Sequence, residues 1–362
     1  MALDKDLLMD TQKVGYTGDG DVKLAVVNDQ VEEFVSAEKG ITILPMFMAV
    51  KEFPWLKEKM WSLISPDKDE YTRLAASENT LSGYFIHVAR GVKSTKPIQT
   101  CLFINMEKFV QTVHNVVVLE EDAEIYLFTG CATAHYVKTA SHIGITEIFL
   151  APRSKLNYTM IHEWAEVVEV RPRTAISIEE GAQFISNYIS LKAVKHLQSM
   201  PTAYLRGKGA STSFNSLIYA PEGAYYDTGA RIVFEAPFTH GEVISRSVTH
   251  GGTVIARGDL VAQAEEVKGH VECDSLLLSD GGLIQAIPGL ETRVANVSLT
   301  HEAAVGKIAQ DELFYLMSRG LSESEAKSMI VKGFLDIDTF RLPEHLRPRV
   351  DQVFKLLENG GM

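Results

Sequence analysis

Two hydrophobic periods divide the chain. From about residue 83 to 300, apolar positions come in runs of roughly four to seven residues, rich in Val, Ile, Thr and aromatic side chains, with turn residues between them. "IQTCLFIN", "AEIYLFTGC", "ARIVFEAP", "EVISRSV" and "GTVIARGDLVAQAEEV" are examples. No long amphipathic helix interrupts this stretch. The pattern predicts a mainly β core over 83–300. A sandwich, a barrel or a parallel β-helix would each absorb such strands, and no fixed-length repeat selects one of them.

The flanks read differently. Residues 1–82 look mixed and helix-rich. "AVKEFPWLKEKMWSLIS" has helical spacing with Pro54 starting or interrupting a helix, and "SPDKDEYTRLAASE" reads as a helix capped at Ser65 before Pro66. Residues 301–362 read as helical. Val305, Ile308, Ala309, Leu313, Leu316 and Met317 form one apolar stripe at three-, four- and seven-residue steps, with Gly320 as C-cap. Ser322 and Glu325 make a capping box for the next helix, and Pro343 opens a third that stops at Gly360-Gly361.

Composition narrows the function classes. The 362 residues carry a net charge of −12 without a Lys/Arg cluster, which argues against a nucleic-acid surface. Cys101, Cys131 and Cys273 form no C-x-x-C pair, as expected in a reducing compartment. The start "MALDKDLLMD" lacks a basic and an apolar signal region, and no run approaches membrane-spanning length. The expectation is a cytoplasmic protein that does not bind membranes.

Several chemistries are missing. "GKGAST" is not a P-loop, no G-x-G-x-x-G opens a strand-turn-helix unit, and no G-x-S-x-G marks a hydrolase nucleophile. "HEWAE" at 162–166 has Glu166 where a zinc helix would place its second His, in strand-like sequence. What remains is "CDSLLLSDGGLIQAIPGLETRVANVSLTHEAA", in which Cys273 precedes His301 and Glu302. Thiolate, imidazole and carboxylate are all iron ligands, and thiolate is the usual donor to iron–sulfur centres. The bland alternative is a buried Cys273 and a His-Glu pair opening the C-terminal helix.

"ECDSLLLSDGG" followed by "THEAAVGKIAQDELFYLMSRGLSESEAKSMIVKGFL" resembles SufB and SufD, the scaffold proteins of the SUF iron–sulfur cluster assembly system. "GYFIHVARGVKSTKPIQTCLFIN", "VVVLEEDAEIYLFTGCATAHYV" and "YYDTGARIVFEAPFTHGEVISRSVTHGG" extend the resemblance over residues from about 80 to 345. It implies a right-handed parallel β-helix over 83–300 between an N-terminal region (1–82) and a C-terminal helical domain (301–362). It implies a non-enzymatic scaffold that builds a transient 4Fe–4S or 2Fe–2S cluster and passes it to apo-proteins. A SufC-like ABC ATPase would dock on the C-terminal helices, about 303–335, so that ATP enters only through the partner.

Residue by residue, Cys273 matches the SufB cysteine essential for assembly, Glu302 a SufB glutamate, and His301 a histidine of both SufB and SufD. These three are the candidate metal and cluster ligands. Asp227 to Gly229 match a family turn and read as structural. Cys131, in the Gly-Cys-Thr-Ala segment, either relays sulfur or stays buried, and burial is favoured; Cys101 reads as a core residue. Thr300 departs from SufB, which often has a second acid there, and the N-terminal extension is short. The mixture of SufB and SufD features implies a homodimer that supplies the three ligands twice, or pairing with a paralogue. The alternatives are a SufD-like architectural subunit without its own cluster, a carbohydrate-active β-helix enzyme (which would want a secretion signal and paired carboxylates), and a metal-free interaction platform.

Overall fold

The computed structural model describes residues 5–18, 20–77 and 81–335; the third helix expected from Pro343 lies outside them. The N-terminal region runs α1 (Lys5–Lys13), β1 (Val22–Val27), β2 (Gln30–Ser36), β3 (Ile41–Pro45), α2 (Met46–Glu52), α3 (Leu56–Lys59) and α4 (Glu70–Ser77). Then come β4 (Tyr84–Val88), β5 (Ile98–Ile104), β6 (Phe109–Leu119), β7 (Glu124–Thr133), β8 (Ala140–Leu150), β9 (Lys155–Glu163), β10 (Val168–Val170), β11 (Arg173–Ile178) and β12 (Gln183–Ser190). The chain continues through β13 (His196–Ser199), β14 (Thr202–Leu205), β15 (Ser211–Pro221), β16 (Tyr225–Phe234), β17 (His240–His250), β18 (Thr253–Ala262), β19 (Lys268–Leu277), β20 (Leu283–Thr292) and β21 (Ser298–Lys307). Helices α5 (Gln310–Ser318) and α6 (Glu323–Phe334) close the described chain.

These strands coil into a β-solenoid of about eight turns, which decides among the architectures the period alone left open. One sheet has the order β2-β1-β5-β7-β9-β12-β15-β17-β19-β21. The second runs from β3 and β4 through β6, β8, β11, β14 and β16 to β18 and β20. Strand pairs between coils are parallel; β1–β2 and β3–β4, at the N-terminal end, are antiparallel. Two prolines cut long strands of the second sheet in two. β8 pairs with both β10 and β11, split at Pro172, and β16 pairs with both β13 and β14, split at Pro201. Proline has no N–H to give the ladder, so the strand bends there.

Each coil buries its inward positions on those of its neighbours. Phe214, Val243 and Val271 stack in register along β15, β17 and β19, and all three are buried. Burying such a side chain fully contributes roughly 1.5–3 kcal/mol. The interior also holds hydroxyls that satisfy one another: Thr100 with Thr129 at 2.6 Å, Ser190 with Tyr226 at 3.0 Å, and Ser247 with Ser275 at 2.8 Å. Asp227–Gly229 is structural in detail. Asp227 takes both guanidinium arms of Arg257 on the next coil, and a Cβ on Gly229 would stand 2.0 Å from the Arg257 carbonyl oxygen.

The N-terminal region is more β-rich than its sequence suggested, because β1–β3 join the two sheets at their N-terminal ends. Pro54 separates α2 from α3. α4 is capped by Asp69, whose Oδ1 accepts the N–H groups of Tyr71 (3.0 Å) and Thr72 (2.9 Å), and not by Ser65. The Asp69 carboxylate also pairs with Arg173 of β11 at 2.6 Å. Glu147 of β8, wholly buried, accepts the backbone N–H groups of Trp61 (2.5 Å), Leu63 (2.7 Å) and Ile64 (3.2 Å) and faces His114 Nε2 at 2.8 Å. It pins this region to the solenoid.

At the other end, helices start later than residue 301. Residues 298–307 form β21, paired with β19 through Lys307, and α5 begins at Gln310. Val305, in β21, and Ile308 and Ala309, in the link to α5, are therefore not part of a helical stripe; for Val305, pairing with the preceding coil overrides the helical spacing. Ser322 and Glu325 do form the capping box of α6, and Gly320 follows α5 at φ +98°, where glycine avoids the Cβ penalty.

Candidate functional site

The last two strands of the first sheet carry the sequence-selected residues. On β19, burial alternates: Gly269, Val271, Cys273 and Ser275 are buried, while His270, Glu272 and Asp274 are half-exposed. Register sets Val271 against His301, Glu272 against Glu302 and Cys273 against Ala303. His301 therefore occupies an inward-facing position, as Cys273 does, one residue pair along on the neighbouring coil. Their Cα atoms are roughly 8 Å apart, from a strand spacing of about 4.8 Å and the rise of two residues. Glu302 lies on the opposite, outer face beside Glu272.

Exposure follows from position in the stack. Cys273 is 0% exposed because β21 lies over it, whereas His301 and Glu302 are exposed. Among the described residues β21 pairs with β19 on one side only, so its other edge is a row of backbone donors and acceptors at the end of the solenoid. Leu283, Leu290 and Val305 on the last coil are exposed apolar side chains. Among the described residues no group of three or more His, Cys, Asp and Glu side chains converges as a metal site. One chain thus brings Cys273 and His301 to one face and leaves Glu302 on the other.

The thiols are protonated in this closed form. Burial, then the Asp274 and Glu272 carboxylates, push the Cys273 pKa up to about 11. Burial drives Cys131 and Cys101 up as well. Cys131 faces inward in register with His162 of β9 and is 1% exposed. "HEWAE" is not a helix: His162 and Glu163 end β9, His162 is buried against Tyr188 (2.9 Å), and Glu163 pairs with Lys192 outside.

The family profile described as "SUF system FeS cluster assembly, SufBD core domain" matches residues 102–334. The chain belongs to the SufBD family. A SufBD family protein of Archaeoglobus fulgidus is 46% identical over 332 residues, 91% of this chain and 89% of the relative. Another, from Methanothermobacter thermautotrophicus, is 41% identical over 90% of this chain and 80% of its own. The Bacillus subtilis iron–sulfur cluster assembly protein SufB is 31% identical over 93% of this chain and 73% of its length. This SufBD chain also contains groups that the linear sequence did not mark. Arg246 of β17 sets Nη2 3.3 Å from Glu272 Oε1, and its Nη1 donates to the Phe334 carbonyl at the end of α6 at 3.2 Å. The signal was present only as one Arg in "VISRSV"; its partners lie 26 and 88 residues away.

The C-terminal hairpin is partly apolar outside. Leu313 and Ala326 are buried, and α5 packs on α6, while Val331 and Leu335 join the core of the solenoid. Phe314 is 62%, Tyr315 58% and Met329 52% exposed. No helix among the described residues is long and apolar enough to cross a membrane.

Proposed function

We propose that this chain is a cytoplasmic scaffold on which iron–sulfur clusters are assembled before transfer to apo-proteins, with Cys273 and His301 as cluster ligands in the last coil. The observation that carries the reading is the β19–β21 register, which sets a thiol and an imidazole on one inward face at the open end of the solenoid. The cluster is cargo. Glu302 joins the ligand set only when β21 separates from β19, because in the closed coil it stands on the outer face. The free edge of β21 supports two copies pairing about a two-fold axis, which presents Cys273 and His301 twice. A SufC-like ABC ATPase docks on the hairpin 310–334 through Phe314, Tyr315 and Met329, and supplies the ATP chemistry.

Anaerobic reconstitution with iron and sulfide tests this, read by absorbance and by iron and acid-labile sulfide counts. Wild type is expected to hold a cluster, Cys273→Ser to lose it, His301→Ala to hold it weakly, and Cys131→Ser to behave as wild type. Serine suits position 273, whose inward neighbour on β17 is Ser245, so loss of cluster would reflect lost sulfur chemistry and not a lost fold. A fully loaded Cys273→Ser protein would refute the ligand assignment. A colourless wild type would favour the SufD-like architectural role.

A further inference from the structure

We propose that Arg246 is a positioning residue that keeps the last coil closed over Cys273. The inference rests on the reading of Cys273 as the thiol of the site. Cys273 is buried under β21 and becomes accessible when β21 peels from β19, its one strand partner among the described residues. Two connections oppose this. The first is the β19–β21 ladder itself. The second is the hairpin α5–α6, joined to the end of β21 through Ile308 and Ala309 and seated on the solenoid by Val331 and Leu335.

Arg246 ties these parts together. It lies on β17, opposite Asp274 of β19. One arm of its guanidinium holds Glu272, the residue before Cys273, and the other holds the last carbonyl of α6. Three elements, β17, β19 and α6, thus meet at one side chain. Glu272 and Glu302 stand directly opposite each other across the edge pair, an arrangement that weakens strand pairing when both are charged. Arg246 supplies the cation that offsets it. Its Nε is buried without a partner, so opening would hydrate a group that the closed form leaves unsatisfied. The hold is therefore built to be released: one contact to each of two elements, with the guanidinium incompletely satisfied.

The test uses the full chain without iron. A native-state pulse of iodoacetamide is read at each cysteine by peptide mass spectrometry. Arg246→Gln, which removes both the Glu272 and the Phe334 contact, is expected to raise the Cys273 rate by about tenfold, with Cys101 and Cys131 unchanged. Arg246→Lys, which keeps the charge but not the fork, is expected to restore part of the protection. Hydrogen exchange over 298–307 should accelerate in the same variants. An unchanged Cys273 rate would overturn the proposal, and so would equal acceleration at all three cysteines, which marks general loosening. The labelling does not depend on cluster binding. If Cys273→Ser loads a full cluster while Arg246→Gln still exposes Cys273, the ligand assignment fails and the catch stands.

Discussion

Glu147→Ala removes the one acceptor shared by three backbone N–H groups, those of Trp61, Leu63 and Ile64, and the partner of the buried His114 ring. Glu147 is 0% exposed and His114 2%, while the Trp61 and Leu63 bonds are part-buried and the Ile64 bond is buried, so water satisfies some of these donors once the carboxylate is gone. A buried donor without a partner costs about 1–3 kcal/mol. Three would give about 3–9 kcal/mol, and a water in the vacated volume recovers part of that. The expected loss is about 3–5 kcal/mol. Glu147→Gln keeps one oxygen acceptor but turns an NH2 toward donors, for a loss of about 1–3 kcal/mol. Denaturant unfolding measures the total, and hydrogen exchange locates it. Protection should fall first over residues 56–77, with the coils from β15 to β21 still protected. A stability within about 0.5 kcal/mol of wild type, or first loss of protection at the C-terminal coils, would refute the view that Glu147 pins the N-terminal region.

His142 is buried neutral, its Nδ1 2.8 Å from Gln111 Oε1, and burial lowers its pKa from 6.5 to about 3. The unfolded chain takes up this proton first as pH falls, so the contribution is complete above about pH 6.5 and is lost toward pH 3. His142→Gln is expected to flatten the decline in melting temperature as pH falls from 6.5 toward 3, the window between the unfolded and folded pKa values; an unchanged slope would place the acid sensitivity elsewhere. On the hairpin, Phe314→Asp is expected to abolish co-purification with a SufC-like ATPase and leave the melting curve alone. Leu313→Asp buries a charge and should disorder the hairpin, costing on the order of 3 kcal/mol or more. Retained binding in Phe314→Asp would move the docking surface off this face.

Much of this molecule was legible along the chain. Short β-branched runs between turn residues are a local property, and they marked the solenoid region. Ser322 with Glu325, and Gly320 after α5, act within one helical turn, so their caps were readable from spacing. Segment resemblance reached the SufBD family, which the profile over 102–334 bears out. The spans that misled were those with a choice of partner. Residues 22–45 hold apolar runs too short to separate strand from helix, and they became strands because the first coils offered edges. Val305 fits a helical stripe until pairing with β19 claims 298–307, which leaves Ile308 and Ala309 as the link to α5.

The sequence by itself determined which candidate groups the chain offers: one cysteine shortly before a His-Glu pair, without a nucleotide-binding loop motif. Tertiary structure alone decided which faces those groups share. A strand has a period of two, so adjacent residues such as His301 and Glu302 must face opposite ways, but which of them faces inward depends on the neighbouring coil. That neighbour is about thirty residues away in sequence, with His301 against Val271 and Ala303 against Cys273. The same stacking buries Cys273 under β21 and, because β21 is the last strand of its sheet among the described residues, leaves His301 open. Arg246 meets Glu272 and the end of α6 for that reason as well. Contacts between coils are non-local, and only the folded register brings them together.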